Sequence, residues 1–213
     1  MFVGPLNRQS LLASYGFDGP RPVLLYAPTG QKHCSMETMG MDFIEAVQAT
    51  GKYDLLIKLH DHPHGCTENW PAKIAELEND HTRLVESFDV TPLLFLADLL
   101  ITDASSVSSE YSLLDRPMVF LDVPKLLKKA AKKDDSMMDL STWGRNGGEV
   151  VPDPESAIKA IEHGLANPAN KSEIRRQAAS DLFYNPGSSV DFAMDWLRAN
   201  FLNQPALTSA SDH

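Results

Sequence analysis

Short aliphatic runs alternate with stretches of helical period along most of the chain. Residues 23–26, 55–59, 99–102 and 118–121 are nearly uninterrupted apolar segments of strand length, the pattern of strands covered on both faces. Residues 83–87 form a weaker segment of the same kind, and a short one at 149–151 follows Gly147-Gly148. Between them, residues 39–49 and 105–114 carry helical spacing, with Val107, Tyr111 and Leu114 as a core-facing stripe in the second. Helical patterns continue at 154–165, 172–182 and 188–201. Parallel strands need crossover connections, so this alternation predicts an α/β fold, a Rossmann-like parallel sheet with helices on both faces. Residues 1–22 show no period and read as a lead-in, residues 23–202 as one domain, and residues 203–213 as a flexible tail.

In such a sheet ligands bind at the carboxyl ends of the strands. Thr29, His60, Ser87 and Asp103 each follow an apolar run, so four strands deliver polar side chains to one rim. After the 99–102 strand the chain reads Asp103-Ala104-Ser105-Ser106-Val107, small and hydroxyl-bearing residues that suit a helix N-terminus approached by phosphate. An ordinary Ser-capped helix carries the same signature. Asp103, Ser106 and Glu110 fall at helical spacing, on one face of the helix that follows. His60, His62 and His64 alternate as metal ligands on a strand would. Pro63 and Gly65 interrupt that strand, and no matching Cys or carboxylate cluster is recognisable, so metal ligation is set aside. His60 is the candidate for substrate contact or proton transfer.

Composition narrows the field further. The 213 residues, 43% of them hydrophobic, suit one substantial core. A formal net charge of -10 argues against nucleic acid as a partner. The basic run from Lys125 to Lys133 is followed at once by Asp134-Asp135 and reads as a solvated face. Two cysteines, Cys34 and Cys66, form no disulfide framework, and neither a signal segment nor an apolar run of membrane-spanning length is visible. These features predict a cytoplasmic setting with at most peripheral association at the inner membrane face.

Three motifs in order carry a resemblance: Tyr26-Ala27-Pro28-Thr29, Ile57-Lys58-Leu59-His60, and Ile101-Thr102-Asp103-Ala104-Ser105-Ser106-Val107-Ser108-Ser109-Glu110-Tyr111. Together with the passage from Leu113 to Phe120, they resemble the C-terminal half of the CDP-glycerol glycerophosphotransferase family, the teichoic-acid polymerases and their relatives. In that family L-Y-A-P-T, K-x-H-P and I-T-D-Y-S-S-V-x-x-D-Y segments line the donor-nucleotide site of a GT-B fold. The likeness spans about residues 23–122.

It implies CDP-glycerol or another nucleotide-activated donor as ligand, with Ser105 and Ser106 on the diphosphate and Glu110 on a diol. Thr29, Asp103 and His60 complete the expected substrate-binding set, His60 lending a proton or a charge, and no metal or cofactor is called for. Ala104 replaces the usual Tyr, Glu110 the usual Asp, and Asp61 the usual Pro, which leaves the donor group open. The resemblance also places the acceptor surface and a catalytic base in an N-terminal half for which this chain has no length. The expectation is therefore half an enzyme, completed by a partner half or by self-association. A UDP-N-acetylglucosamine 2-epimerase-like domain and a non-catalytic nucleotide-sugar binding domain are the alternatives.

Overall fold

Six parallel strands in the order β3-β2-β1-β4-β5-β6 form the sheet among the described residues, which are 7–61, 68–132 and 144–202 of a computed structural model. In chain order the elements begin with α1 (Arg8–Ser14), β1 (Val23–Tyr26), α2 (Met41–Thr50) and β2 (Asp54–Ile57). They continue with α3 (Trp70–Ala75), β3 (Thr82–Leu84), α4 (Thr91–Leu96), β4 (Leu99–Thr102) and α5 (Val107–Ser112). Then follow β5 (Met118–Leu121), α6 (Pro124–Ala130), β6 (Glu149–Val151), α7 (Pro154–Ala166), α8 (Ser172–Leu182) and α9 (Ser189–Leu197). The order reverses between β1 and β4, whose register pairs Leu24 with Leu99 and Tyr26 with Ile101. This is the switch point at which doubly wound sheets leave a crevice.

The continuous aliphatic character of β1, β2, β4 and β5 is explained by helices on both sides: every residue of these four strands is buried. Leu24, Tyr26, Leu55, Ile57, Leu99 and Ile101 face one core with Phe43 and Val47 of α2 and Ile161 of α7. Val23, Leu25, Leu56, Leu100 and Phe120 face the other, against Leu93 and Leu96 of α4 and Tyr111 of α5. The alternation follows from successive strand side chains pointing to opposite faces.

Several expectations shift. Residues 1–22 were expected to lack regular structure, yet α1 lies there, capped by the Asn7 side chain, which accepts from Ser10 N at 2.9 Å. Seven residues are too few to show a period, and the helix is held by tertiary contacts. Arg8 reaches the Leu96 carbonyl and pairs with Asp98 at 2.8 Å, while Leu11, Leu12 and Tyr15 pack on the second core. β3 is shorter and earlier than 83–87, because beyond Val85 the chain turns. The helix expected at 105–114 is regular only over Val107–Ser112, and Leu114 is 38% exposed instead of completing the stripe. A π-helical turn, Met36–Gly40, precedes α2.

The basic run is an exposed face of α6 over the buried Leu126, with Lys133 outside the described residues. Beside Pro168 and Gly147, Arg175 of α8 is almost wholly buried and donates from Nε to Asp115 at 3.0 Å and from Nη2 to the Pro168 carbonyl at 2.7 Å. The chain divides into two compact units, the second beginning at Ser180. Within that second unit the Trp196 and Phe201 rings meet at a tilt of 58° with centroids 5.5 Å apart, and Tyr184 meets Phe192 edge-on at 6.0 Å.

Candidate functional site

Asp103, one residue past β4, is fully buried, and four donors meet its carboxylate. Thr29 N (2.9 Å) and Ala104 N (2.6 Å) donate to Oδ1, and Ser35 N and Ser35 Oγ (both 2.8 Å) donate to Oδ2. Tyr26 OH lies 2.9 Å from Ser35 Oγ and, since that hydroxyl gives its proton to Asp103, is placed to donate to it. Burial, with the Asp103 charge second, pushes the Tyr26 phenol well above its ordinary range, so it stays protonated. Beside this hub, Thr102 Oγ1 donates to the Ala27 carbonyl at 2.7 Å. The carboxylate thus ties the loop after β1 to the loop after β4. With every lone-pair direction used, Asp103 contributes by holding Thr29 and Ala104 in place.

Two cavities open above this hub. The larger, about 270 Å³, lies between the ends of β1, β2 and β4 and brings together His60, Ser105, Ser106 and Glu110. The smaller, about 180 Å³, takes Thr29 and Gly30 on one side and Met36, Leu59, Trp70 and Pro71 on the other. Pro28, Leu59, His60 and Asp61 line both and form the wall between them. Of the six site residues read from the sequence, four share the larger cavity, Thr29 lines the smaller one, and Asp103 lines neither. Asp103, Ser106 and Glu110 do not share a face: Ser106 and Glu110 are exposed, and Asp103 is sealed beneath them, because the regular helix starts only after Ser106. His62 and His64 lie outside the described residues. Ser87 does not reach the rim chemistry; its hydroxyl braces a turn against Asp89.

The Ser105-Ser106 turn differs from a conventional cap. Ser106 occupies the N-cap position without a side-chain cap bond, and Ser105 Oγ accepts from Val107 N at a long 3.5 Å. Both hydroxyls are accordingly little committed to the helix. α5 has six residues, so its dipole is small, and hydroxyls and backbone N-H groups are the main donors the turn presents. Electrostatically the larger cavity sets one cation, Lys58, against two carboxylates, Asp61 and Glu110. Lys58, almost wholly buried, pairs with Asp61 at 2.6 Å and donates to the Leu59 carbonyl at 2.7 Å. Partial burial raises the Glu110 carboxyl. In the smaller cavity, burial pushes the Cys34 thiol up to about 11.

Lys58, Asp61, Trp70 and Phe88 also line these cavities, and the sequence alone assigns them no role. Lys58 and Asp61 flank His60 within a quoted motif, and that adjacency was the available signal. Phe88 is a lone aromatic between Ser87 and Asp89, with no pattern around it to mark a role.

The family model of CDP-Glycerol:Poly(glycerophosphate) glycerophosphotransferase matches residues 6–188. The chain belongs to this family. The teichoic acid glycerol-phosphate primase of Bacillus subtilis strain 168 is 30% identical over 181 residues, which are 83% of this chain and 43% of the primase. The wall teichoic acid polymerase TagF, in a variant soaked with CDPG, superposes with a TM-score of 0.61 at 19% identity, covering 90% of this chain and 44% of the polymerase. UDP-GlcNAc 2-epimerase from Neisseria meningitidis, bound to UDP-GlcNAc, gives 0.52 at 13% identity over 91% of this chain and 48% of the epimerase. The chain therefore spans less than half the length of each. The fold of this glycerophosphotransferase-family chain is one Rossmann-like half of a GT-B architecture. Among the described residues no helix is long and apolar enough to cross a membrane.

Proposed function

We propose that this chain binds a nucleotide-activated donor of the CDP-glycerol type in the larger cavity, as the donor half of a glycerophosphotransferase. The observation that carries the reading is the convergence of His60, Ser105, Ser106 and Glu110, drawn from two strand ends, on one cleft at the topological switch point. Ser105 and Ser106, with the N-H groups of their turn, donate to the diphosphate. Glu110 accepts from a vicinal diol of ribose or glycerol. In transfer an acceptor hydroxyl, giving its proton to a base from the second half, bonds the glycerol-bearing phosphorus as the bond from that phosphorus to the bridging oxygen breaks, so CMP leaves and needs its developing charge met. His60, in the wall of the cleft, supplies a hydrogen bond or a proton to that oxygen. Thr29, in the lining of the smaller cavity, and Asp103 act through the loops that their hydrogen bond ties together. The smaller cavity, with Met36, Trp70 and Pro71 and the Glu68 carboxylate in its lining, is a poor match for phosphate.

With Lys58 paired to Asp61 and Glu110 adding a second carboxylate, the lining offers no net positive charge to a diphosphate, and the affinity of the isolated half is expected to be weak. Turnover additionally needs an acceptor held in line, and positioning accounts for much of the barrier reduction in a bimolecular transfer. The acceptor surface belongs in this reading to a second half, whether a partner or more of the same protein. The match of the family model over most of the chain favours glycerophosphate transfer over 2-epimerisation, since the likeness to the epimerase speaks to the fold alone.

Calorimetric titration with CDP-glycerol, CDP-ribitol and UDP-N-acetylglucosamine tests the proposal. A CDP-linked polyol should bind and outcompete the UDP-sugar, without glycerophosphate transfer by this chain alone. Preference for the UDP-sugar would favour the epimerase-like reading, and no binding of any of the three at millimolar concentration would overturn donor binding altogether.

A further inference from the structure

We propose that Phe88 is the stacking surface for the nucleobase of the donor, a role that rests on the donor reading above. Phe88 is 86% exposed, and it lines the same cavity as Ser105, Ser106 and Glu110. A single exposed apolar side chain is ordinary. Its place in this cavity, on a braced turn, is what sets it apart.

The turn follows the end of β3, where Val85 N donates to the Ile57 carbonyl at 2.8 Å. Asp89 N donates to Ser87 Oγ at 3.2 Å, Ser87 Oγ donates back to the Asp89 carbonyl at 3.3 Å, and Thr91 N donates to Asp89 Oδ1 at 3.0 Å. Pro92, buried in the first turn of α4, fixes the chain on the far side. Both neighbours of Phe88 are thus committed to local bonds, and the ring is presented to solvent by a pinned backbone. Preorganisation of this kind lowers the entropy cost of binding.

The position also fits the shape of the ligand. α4 and α5 pack on the same face of the sheet, so the loop carrying Phe88 and the turn carrying Ser105 and Ser106 stand on one side of the switch point. A nucleoside diphosphate has a flat base at one end, a diol in the middle and the diphosphate at the other. The cavity offers an apolar ring, a carboxylate and a pair of hydroxyls to match them. Stacking on a phenyl face is tolerant of which base is present. Phe88 should therefore supply affinity without choosing cytosine over uracil.

The test compares CDP and UDP binding to the unaltered chain, Phe88→Ala and Phe88→Trp, with the thermal midpoint of each as a control for folding. Phe88→Ala should weaken both nucleotides by the same factor, about tenfold or more. Phe88→Trp should restore binding, and in the unaltered chain the cytosine H5 and H6 protons should show nuclear Overhauser contacts to the Phe88 ring. CDP affinity within twofold of the unaltered chain in Phe88→Ala, or the absence of those contacts in a saturated complex, would overturn the stacking role while leaving the donor reading intact. No CDP binding to the unaltered chain would overturn both.

Discussion

Gly30 and His60 approach so closely that a Cβ on Gly30 would stand 2.8 Å from both the Cβ and the Cγ of His60. The contact is between the loop after β1 and the loop after β2, the two elements that meet at the wall separating the cavities. Glycine is needed here for room.

Gly30→Ala is predicted to displace His60, backbone as well as ring, at a cost of about 1–3 kcal/mol, because the clash reaches the His60 Cβ and no rotation of the side chain relieves it. If His60 serves the departing phosphate, a shift of this size should weaken CDP-glycerol binding severalfold. Histidine ring signals by NMR, followed through a CDP-glycerol titration, check both statements. An unmoved His60 resonance with unchanged affinity would remove the positioning role of Gly30.

Asp103→Asn is predicted to destabilise the fold by about 2–4 kcal/mol, since an amide group would turn a donor toward backbone N-H groups or the Ser35 hydroxyl and leave buried donors unmet. Ser35→Ala, which removes one donor and leaves the carboxylate three, should cost about 1–2 kcal/mol. Urea denaturation of both variants measures this. Wild-type stability in Asp103→Asn would mean that the four bonds do not organise the rim.

The strands were legible because burial on both faces leaves an unmistakable aliphatic run, and the ends of β1, β4, β5 and β6 coincide with those read from the sequence. Helix α1 was not, because seven residues held by Arg8 and three hydrophobic contacts show no period. The site was legible in its membership and less so in its division of labour. Asp103 and Ser106 look alike in sequence as polar residues after a strand, yet only the three-dimensional arrival of Ser35, sixty-eight positions away, shows that the carboxylate is consumed inside the protein. Lys58 reads as a surface cation until its burial against Asp61 is seen.

Cys34 offers a reading of the smaller cavity. Its thiol, pushed up to about 11 by burial, holds almost no thiolate at pH 8. In a Cys66→Ser background, alkylation by iodoacetamide at pH 8 should be about a hundredfold slower in the native chain than in denaturant, since the thiolate is the reacting species. Comparable rates would show the cavity to be open and the thiol ordinary.

Ser106→Asp is predicted to separate folding from binding. The residue is exposed at the start of α5 and makes no cap bond, so a carboxylate there should leave stability unchanged or raise it by about 0.3–1 kcal/mol. The same charge repels a bound diphosphate and should lower CDP-glycerol affinity about tenfold or more. Parallel thermal melts and calorimetry decide the matter, and unchanged affinity would take Ser106 out of the phosphate site.

Glu110 should show opposite signs in stability and in binding. Desolvation raises its folded-state pKa, so the folded chain holds the proton more tightly than the unfolded one and stability gains as pH falls through that raised value, while the cost is fully present above it. Glu110→Gln removes the cost and should be neutral to slightly stabilising at pH 7, with the difference vanishing in acid. Binding should move the other way. A carboxylate that accepts from a diol makes charge-assisted bonds worth about 1.5–3 kcal/mol, so Glu110→Gln should weaken CDP-glycerol by roughly ten- to a hundredfold at pH 7. The unaltered chain should lose affinity on acidification as Glu110 protonates, through a window lying above the ordinary glutamate value, whereas in Glu110→Gln that part of the pH dependence should be absent. Calorimetry across that range reads the profile directly. If the two pH profiles run parallel, Glu110 is an exposed helix carboxylate and the diol is held elsewhere.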